Sequence, residues 1–186
     1  NAHTNFFLDM TTLKSRQSEA SQAARALSEQ ISATTVVDTI VCIDGCEIIG
    51  AFMAQELTKA GIYSMNSHKT IYIITPEFIN SGQLLFRENV LPMIKGKNVL
   101  LLLASATTGM TVVRAVQALT YYGAVISGVS AVFSAVNTLL GMPIHSLFHI
   151  GDLPEYKAYN PEGCVLCREG KGIDAFANGY GYSKTD

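Results

Sequence analysis

Hydrophobic positions recur at two spacings along the chain, and each spacing predicts one kind of element. Small and apolar residues at intervals of three and four predict an amphipathic helix over 12–31. Another helix is predicted at 48–58, and a third begins at Thr111 and ends near Gly123. The segment 77–89 shows no sustained periodicity, so we predict a long loop there. Short runs of β-branched and apolar residues predict strands at 36–43, 70–74, 99–104, 125–133 and 144–148.

The run from Val99 to Ala104 contains no polar residue, which is typical of a strand buried on both faces of a parallel sheet. Strands and helices alternate around it, and this order predicts an α/β fold with a doubly wound, mostly parallel sheet. A length of 186 residues suits one such domain over 1–186. We expect its core at about 32–150 and a C-terminal arm at about 151–186, packed on the domain or on a neighbour.

The amino-acid composition indicates which kinds of partner the protein binds. Hydrophobic residues make up 48% of the chain and charged residues 15%, which indicates a surface partly buried against another subunit, so we expect an oligomer. A formal net charge of −2 without a basic run argues against binding to nucleic acid. The longest apolar run is far shorter than the roughly 18 residues of a membrane span. We therefore expect no membrane partner, a cytoplasmic location and reduced cysteines.

The segment 98–111 carries the clearest chemical signal, because a buried strand leads directly into small and hydroxyl residues at a helix start. Free backbone N–H groups and the positive end of the helix dipole attract anions at such a position. Gly109 lets the backbone approach a ligand closely. An alternative is a turn capped by a threonine that holds no ligand. The predicted phosphate-binding residues are Ser105, Ala106, Thr107, Thr108, Gly109, Met110 and Thr111.

The same segment resembles a known motif. Residues 99–111, continued by the helix to Tyr122-Gly123-Ala124, are similar to the ribose-phosphate motif of type I phosphoribosyltransferases. That motif is a hydrophobic strand, two acidic residues, two variable residues, Thr-Thr-Gly and a helix. The segments that resemble those of orotate phosphoribosyltransferases, in the same order, are 6–9, 42–50, 141–147 and 160–167.

The resemblance implies the fold of that family, with a small hood or arm formed by the two chain ends. It implies an enzyme that transfers the 5-phosphoribosyl group from phosphoribosyl diphosphate to a nucleobase, with Mg²⁺ present. It also implies a homodimer whose subunits complete each other's sites. The expected ligand is phosphoribosyl diphosphate or a nucleoside monophosphate. No catalytic residue and no protein ligand to a metal is assigned.

Two departures from the family pattern bear on activity. Leu103 and Ala104 occupy the positions of the two acidic residues that are expected to hold the ribose hydroxyls. Thr75-Pro76-Glu77 stands where the family usually carries basic residues, so Arg87 and Lys69 remain as candidate cations for the diphosphate. The enzyme is therefore expected to have impaired activity. A protein of the same fold that senses a nucleotide or phosphosugar without catalysis is the alternative.

The turn of Asp44, Gly45 and Cys46 matches the position of the family's diphosphate loop, although it could be only a tight turn between a strand and a helix. Cys164 and Cys167 could form half of a zinc site, but completing it with the cysteines near this turn would need distant segments to meet. We interpret them as two thiols in a hairpin turn. The four histidines lack metal spacing and are expected to be satisfied locally; they are His3, His68, His145 and His149.

Overall fold

The computed structural model describes residues 2–59, 64–79 and 82–185. Its helices are α1 (Thr11–Ser15), α2 (Gln17–Ser28), α3 (Glu47–Lys59), α4 (Met110–Tyr121) and α5 (Val165–Arg168), with 3₁₀ turns at Leu91–Met93 and Ile150–Asp152. Its strands are β1 (His3–Thr4), β2 (Thr39–Cys42), β3 (Tyr72–Ile74), β4 (Glu77–Phe78), β5 (Leu84–Leu85), β6 (Asn98–Ala106), β7 (Val125–Ser134), β8 (Thr138–Leu139), β9 (Met142–His149), β10 (Ala158–Tyr159), β11 (Ala175–Asn178) and β12 (Gly181–Lys184).

The central sheet of the described chain has the strand order β3-β2-β6-β7-β9-β8. Parallel pairing joins β3, β2, β6, β7 and β9 in this order. β8 lies at the edge and pairs antiparallel with β9. β6 lies inside the sheet between β2 and β7, which explains why its apolar run is fully buried. This mostly parallel sheet confirms the predicted fold class.

Helices cover both faces of the sheet. α2 and α3 pack on one face, where Leu27, Ile49 and Met53 meet the even-numbered leucines of β6. α4 packs on the other face, where Val112 and Leu119 meet the odd-numbered ones. Because successive strand residues point to opposite faces, one apolar run supplies both cores. Each fully buried leucine contributes roughly 1.5–3 kcal/mol to this packing.

The single helix predicted over 12–31 is wrong, because the chain breaks it at Arg16. This residue is extended, with φ −88° and ψ 124°, and separates α1 from α2. Fully buried helical positions begin only at Ala20, and the segment before it packs on the core through the partly buried Leu13 alone within α1. The preceding Ser/Thr-rich turn has modest helix propensity of its own.

The long loop predicted over 77–89 is also wrong in part, because β4 and β5 form a short antiparallel hairpin there. Leu84 and Phe86 are buried and anchor the second strand. Arg87 donates two hydrogen bonds to the carboxylate of Glu77, at 2.8 and 2.6 Å, and ties the two ends together. Residues 80 and 81 of the predicted loop lie outside the described residues.

The two ends of the chain pack together above the sheet. β1 pairs with β10, so that His3 faces Tyr159, and β11 and β12 form a hairpin within the predicted arm. Asn5 strengthens the first pairing, since its side chain donates to the carbonyl of Glu155 at 2.7 Å and accepts from the amide of Lys157 at 2.8 Å. This is the expected hood. Among the described residues, no helix has the length and apolar character needed to cross a membrane.

Candidate phosphate-binding site

The predicted phosphate loop joins β6 to α4 at the carboxyl end of the sheet. β6 continues two residues further than predicted, so Ser105 and Ala106 belong to the strand. Gly109 is the residue before α4 and has φ 77°, a left-handed conformation that favours glycine. A Cβ at this position would lie 2.8 Å from Cδ2 of Leu139. The turn therefore depends on glycine for both its backbone conformation and its packing.

The loop presents a row of free hydrogen-bond donors. The backbone N–H groups from Thr107 to Val112 have no hydrogen-bond partner among the described residues. Neither do the loop hydroxyls of Ser105, Thr107, Thr108 and Thr111, within the same part of the chain. α4 has 12 residues, so its dipole adds partial positive charge at this end. The loop has the donors and the field that an anion such as phosphate requires.

The strand just before the loop offers no carboxylate. The side chain of Leu103 is 0% exposed and packs in the core beneath α4. Ala104 is 4% exposed and, with Ser105, lines a narrow cleft on the opposite side of the strand. The two positions therefore differ, because only a side chain at 104 can reach a ligand in the cleft.

The second predicted loop, Asp44 to Cys46, follows β2 and lies beside the first because β2 and β6 are neighbours. Asp44 and Gly45 both have positive φ, 62° and 76°. Their backbone N–H groups and that of Cys46 have no partner within the described chain. Burial raises the pKa of the Asp44 carboxyl, and the nearby Lys14 ammonium opposes that rise. Burial also raises the pKa of the Cys46 thiol, which keeps it protonated.

The C-terminal hairpin covers this second loop. Lys14 donates to the carbonyl oxygen of Asp44 at 2.8 Å and also to that of Gly179, in the turn between β11 and β12. A Cβ at Gly179 would overlap the Asp44 side chain, so the turn packs directly on the loop. The ring of Tyr180 lies over Gly45. The cleft between this cover and Ser105 has a volume of only about 30 Å³.

Sequence reasoning missed Lys14 as a residue of the site. Its contacts are with Asp44, 30 residues away, and with Gly179, 165 residues away, so no local pattern indicates them. A larger cavity of about 370 Å³ lies between α2 and α3, beside Arg25 and Glu56, but neither predicted loop lines it.

Comparisons with known proteins identify the fold. No protein-family model and no curated protein matches the sequence. The structure is similar to a phosphoribosyltransferase from Corynebacterium diphtheriae, with a TM-score of 0.58 and 17% identity over 80% of this chain and 84% of that one. It is similar to orotate phosphoribosyltransferase of Mycobacterium tuberculosis H37Rv in complex with 5-phospho-alpha-D-ribosyl 1-diphosphate, with a TM-score of 0.55 and 15% identity over 80% and 83% of the two chains. For orotate phosphoribosyltransferase from Aeropyrum pernix the TM-score is 0.55, with 15% identity over 90% and 85%.

The chain has the fold of the type I phosphoribosyltransferases.

Within this phosphoribosyltransferase fold, the two candidate cations lie in different places. Lys69 precedes β3, at the amino end of the sheet, and its ammonium is 3.8 Å from the Asp38 carboxylate. The structure therefore does not bring Lys69 to the phosphate loop. Arg87 lies in the hairpin after β3 and is held by Glu77. Its role toward a diphosphate stays a prediction.

Magnesium is the ion that this fold family implies, and it prefers oxygen ligands in octahedral geometry. Leu103 and Ala104 supply no oxygen ligand from their side chains. In the neighbouring loop, Asp44 is held beside Lys14, and Glu47 accepts a hydrogen bond from the Thr75 hydroxyl at 2.9 Å. Among the described residues these groups do not form a cluster that could hold a metal. The described part of the chain thus does not fit a magnesium site.

The remaining predictions concern the cysteines and histidines. Cys164 directly precedes the four-residue helix α5 and Cys167 lies within it, so their placement in a hairpin turn is wrong. Cys42 is buried in the core between β2 and α3, and it does not join the other pair. His149 is satisfied locally, as expected, by the Ser146 hydroxyl at 2.9 Å. His3 is not satisfied by residues near it in sequence, because its Nδ1 lies beside the sulfur atoms of Cys164 and Cys167.

Proposed function

We propose that this protein binds phosphoribosyl compounds by their 5-phosphate on the loop 105–111. We further propose that it is a phosphoribosyltransferase-like protein of the orotate type whose turnover is impaired. The observation that carries the proposal is the row of free N–H groups from Thr107 to Val112, directly after a strand that offers Leu103 and Ala104 in place of carboxylates. The site therefore offers hydrogen-bond donors for a phosphate but, at positions 103 and 104, no carboxylate for the ribose hydroxyls.

The loop residues would act on the ligand by binding and orientation. Backbone N–H groups at a helix start form charge-assisted hydrogen bonds to phosphate oxygens, and each contributes about 1.5–3 kcal/mol. Transfer of a phosphoribosyl group also needs the ribose to be held while the diphosphate departs, since catalysis of this kind depends on positioning and electrostatic stabilisation. In this chain Lys14 is the cation beside the Asp44 loop, and two carbonyl groups already occupy it.

A second function is favoured by the cover over the Asp44 loop. Tyr180 and Gly179 pack where a diphosphate would approach the free N–H groups of Asp44 and Gly45. A protein that only senses a nucleoside monophosphate needs no diphosphate position. A non-catalytic, nucleotide-binding regulatory role on the same fold is therefore the alternative, and both functions belong to nucleotide metabolism.

A matched pair of charge insertions on α4 tests the phosphate site. Thr111→Glu places a carboxylate in the first turn of the helix, where the dipole stabilises it by about 0.3–1 kcal/mol. The same carboxylate repels a bound phosphate by about 1–4 kcal/mol at 4 Å near a protein surface. Thr120→Glu adds the same charge at the exposed far end of α4 and serves as the control.

Titrations with ribose 5-phosphate and with nucleoside monophosphates should show binding by the wild type and by Thr120→Glu, and at least about fivefold weaker binding by Thr111→Glu. Equal binding by the two variants would remove the phosphate site from this loop. Turnover of orotate with phosphoribosyl diphosphate and Mg²⁺ then separates the two functions. Efficient turnover by the wild type would refute impaired catalysis, whereas binding without turnover supports the regulatory role.

A homodimer is also proposed. Large apolar side chains remain exposed on the edge strand β3, at Tyr72 and Ile73, and on the elements α3 and β4, at Ile48 and Phe78. Exposed large apolar side chains mark protein interfaces where they form one patch, and we propose that these do. Sedimentation velocity should give a dimer at micromolar concentration, and a monomer there would contradict a site shared between subunits. A cytoplasmic location stays a prediction from the sequence.

A further inference from the structure

Three soft metal-binding side chains meet where the two ends of the chain pack together. Nδ1 of His3 lies 3.4 Å from Sγ of Cys167 and 3.5 Å from Sγ of Cys164. All three donor atoms lie within 4.8 Å of one another. The two cysteines are free thiols, and neither is bridged to another cysteine. Residue 3 and residues 164–167 come from opposite ends of the sequence, so the fold itself assembles the cluster.

The spacing of these atoms is that of ligands around a tetrahedral zinc ion. Zinc binds sulfur at about 2.3 Å and imidazole nitrogen at about 2.0–2.1 Å, and a tetrahedral angle then separates the sulfur from the nitrogen by about 3.5–3.6 Å. The two observed separations, 3.4 and 3.5 Å, agree with that value. Both sulfur–nitrogen separations therefore suit a zinc ion.

Backbone structure holds the three ligands in place. Pairing of β1 with β10 fixes the strand that carries His3, and Asn5 reinforces it through the hydrogen bonds to Glu155 and Lys157. The two cysteines are three residues apart at the start of α5, the C-x-x-C spacing of one half of a structural zinc site. His3, which the sequence analysis expected to be satisfied locally, supplies the third donor atom beside them.

We propose that His3, Cys164 and Cys167 bind one zinc ion, with water as the fourth ligand. Water is the fourth ligand because Cys167 is exposed and because the described residues place no further His, Cys, Asp or Glu in the cluster. Binding replaces the thiol protons, so two protons are released to solvent as the two thiolates coordinate the metal. The ion would join the N-terminal strand to the C-terminal arm and stabilise the hood.

Metal titration of the reduced protein, without a histidine tag, tests the site. Native mass spectrometry should show one Zn²⁺ per chain, and Co²⁺ should give the visible bands of a tetrahedral thiolate complex. Because only the fold brings His3 to the two cysteines, zinc should bind the folded chain more tightly than the unfolded one, and the midpoint of thermal unfolding should rise with Zn²⁺ concentration. A wild type that takes up no metal at micromolar concentration would overturn the proposal.

Paired variants assign the ligands. Cys167→Ala should abolish stoichiometric binding, whereas Cys46→Ala, which removes a thiol outside the cluster, should retain it. His3→Asn should weaken binding at least tenfold, and His68→Asn, at an exposed histidine, should not. Cys167 is exposed and His3 half-buried, so both variants are expected to fold, which circular dichroism checks. Unchanged binding in either Cys167→Ala or His3→Asn would refute the three-ligand site.

Discussion

Restoring a carboxylate at position 104 should tighten binding of phosphoribosyl diphosphate. The reason is geometric, since Ala104 packs at the border of the core on the α2–α3 face and lines the cleft next to Ser105, whereas Leu103 lies in the core beneath α4 and lines no cleft. An aspartate at 104 can accept hydrogen bonds from the ribose hydroxyls. A hydrogen bond to a charged group contributes about 1.5–3 kcal/mol, which corresponds to about 10- to 150-fold in the dissociation constant.

A carboxylate at the neighbouring position 103 should destabilise the protein instead of tightening ligand binding. Leu103→Glu removes a fully buried leucine, a change that costs about 2–5 kcal/mol even without a charge, and it also buries a carboxylate. In a chain of this length that lowers the unfolding midpoint by at least about 4–8 °C. Ala104→Asp adds volume and a carboxylate at a position that is 4% exposed beside the cleft, and because it removes no buried leucine it should cost less than Leu103→Glu.

Ala104→Asn is the matched control, because it has the same shape as the aspartate without the charge. Calorimetric titration with phosphoribosyl diphosphate and Mg²⁺ should rank Ala104→Asp well above Ala104→Asn and the wild type. Thermal unfolding must show that both variants are folded. If the folded aspartate variant binds no more tightly than the asparagine variant, the missing carboxylate is not what limits ligand binding, and the proposed reason for impaired activity is refuted.

Three further predictions concern the loops and their cover. Gly109→Ala should lower the free energy of unfolding by about 1–3 kcal/mol in urea titrations, because of its positive φ and the contact with Leu139; no loss would contradict the described turn. Burial raises the pKa of Asp44, so its contribution to stability is present below about pH 4 and is lost as pH rises through the raised pKa. Asp44→Asn should therefore gain stability relative to the wild type between pH 4 and pH 7 in urea titrations, and a constant difference would argue against that burial. Lys14→Met should speed limited proteolysis of the β11–β12 hairpin several-fold, whereas Lys184→Met, on the exposed β12 strand, should not.

Local signals predicted the strand, turn and helix that carry the candidate phosphate loop, while phosphate binding itself stays a prediction. The apolar run of β6, the change from strand to helical periodicity after it, and a glycine at the left-handed position all lie within one short segment. Such patterns depend on neighbours in sequence, so they can be interpreted without tertiary contacts. The burial of Leu103 could be predicted in the same way, because a strand that is covered on both faces of the sheet has apolar side chains on both sides.

Long-range packing accounts for what the sequence did not predict. Lys14 joins the Asp44 loop to the Gly179 turn, and His3 reaches the cysteines of α5 across 161 and 164 residues. These contacts exist because the chain ends pair with each other, and no periodicity encodes which ends will meet. The break between the two helices at Arg16 also depends on tertiary packing, since it allows α1 and α2 to pack separately.

The β11–β12 hairpin covers the cleft beside Ala104 more closely than it covers the candidate phosphate loop. At the candidate phosphate loop, Met110 is 52% exposed, and the N–H groups from Thr107 to Val112 have no partner among the described residues. Beside Ala104, the cleft has room for only a few water molecules while Lys14 holds the Gly179 turn in place. Under the proposed function, a ligand would dock its phosphate on the loop, and a ribose that enters the cleft would have to displace the turn. The free energy of that displacement is subtracted from the affinity for phosphoribosyl diphosphate but not from the affinity for phosphate alone. Under the proposed function, phosphate binding would therefore persist even though transferase activity is impaired.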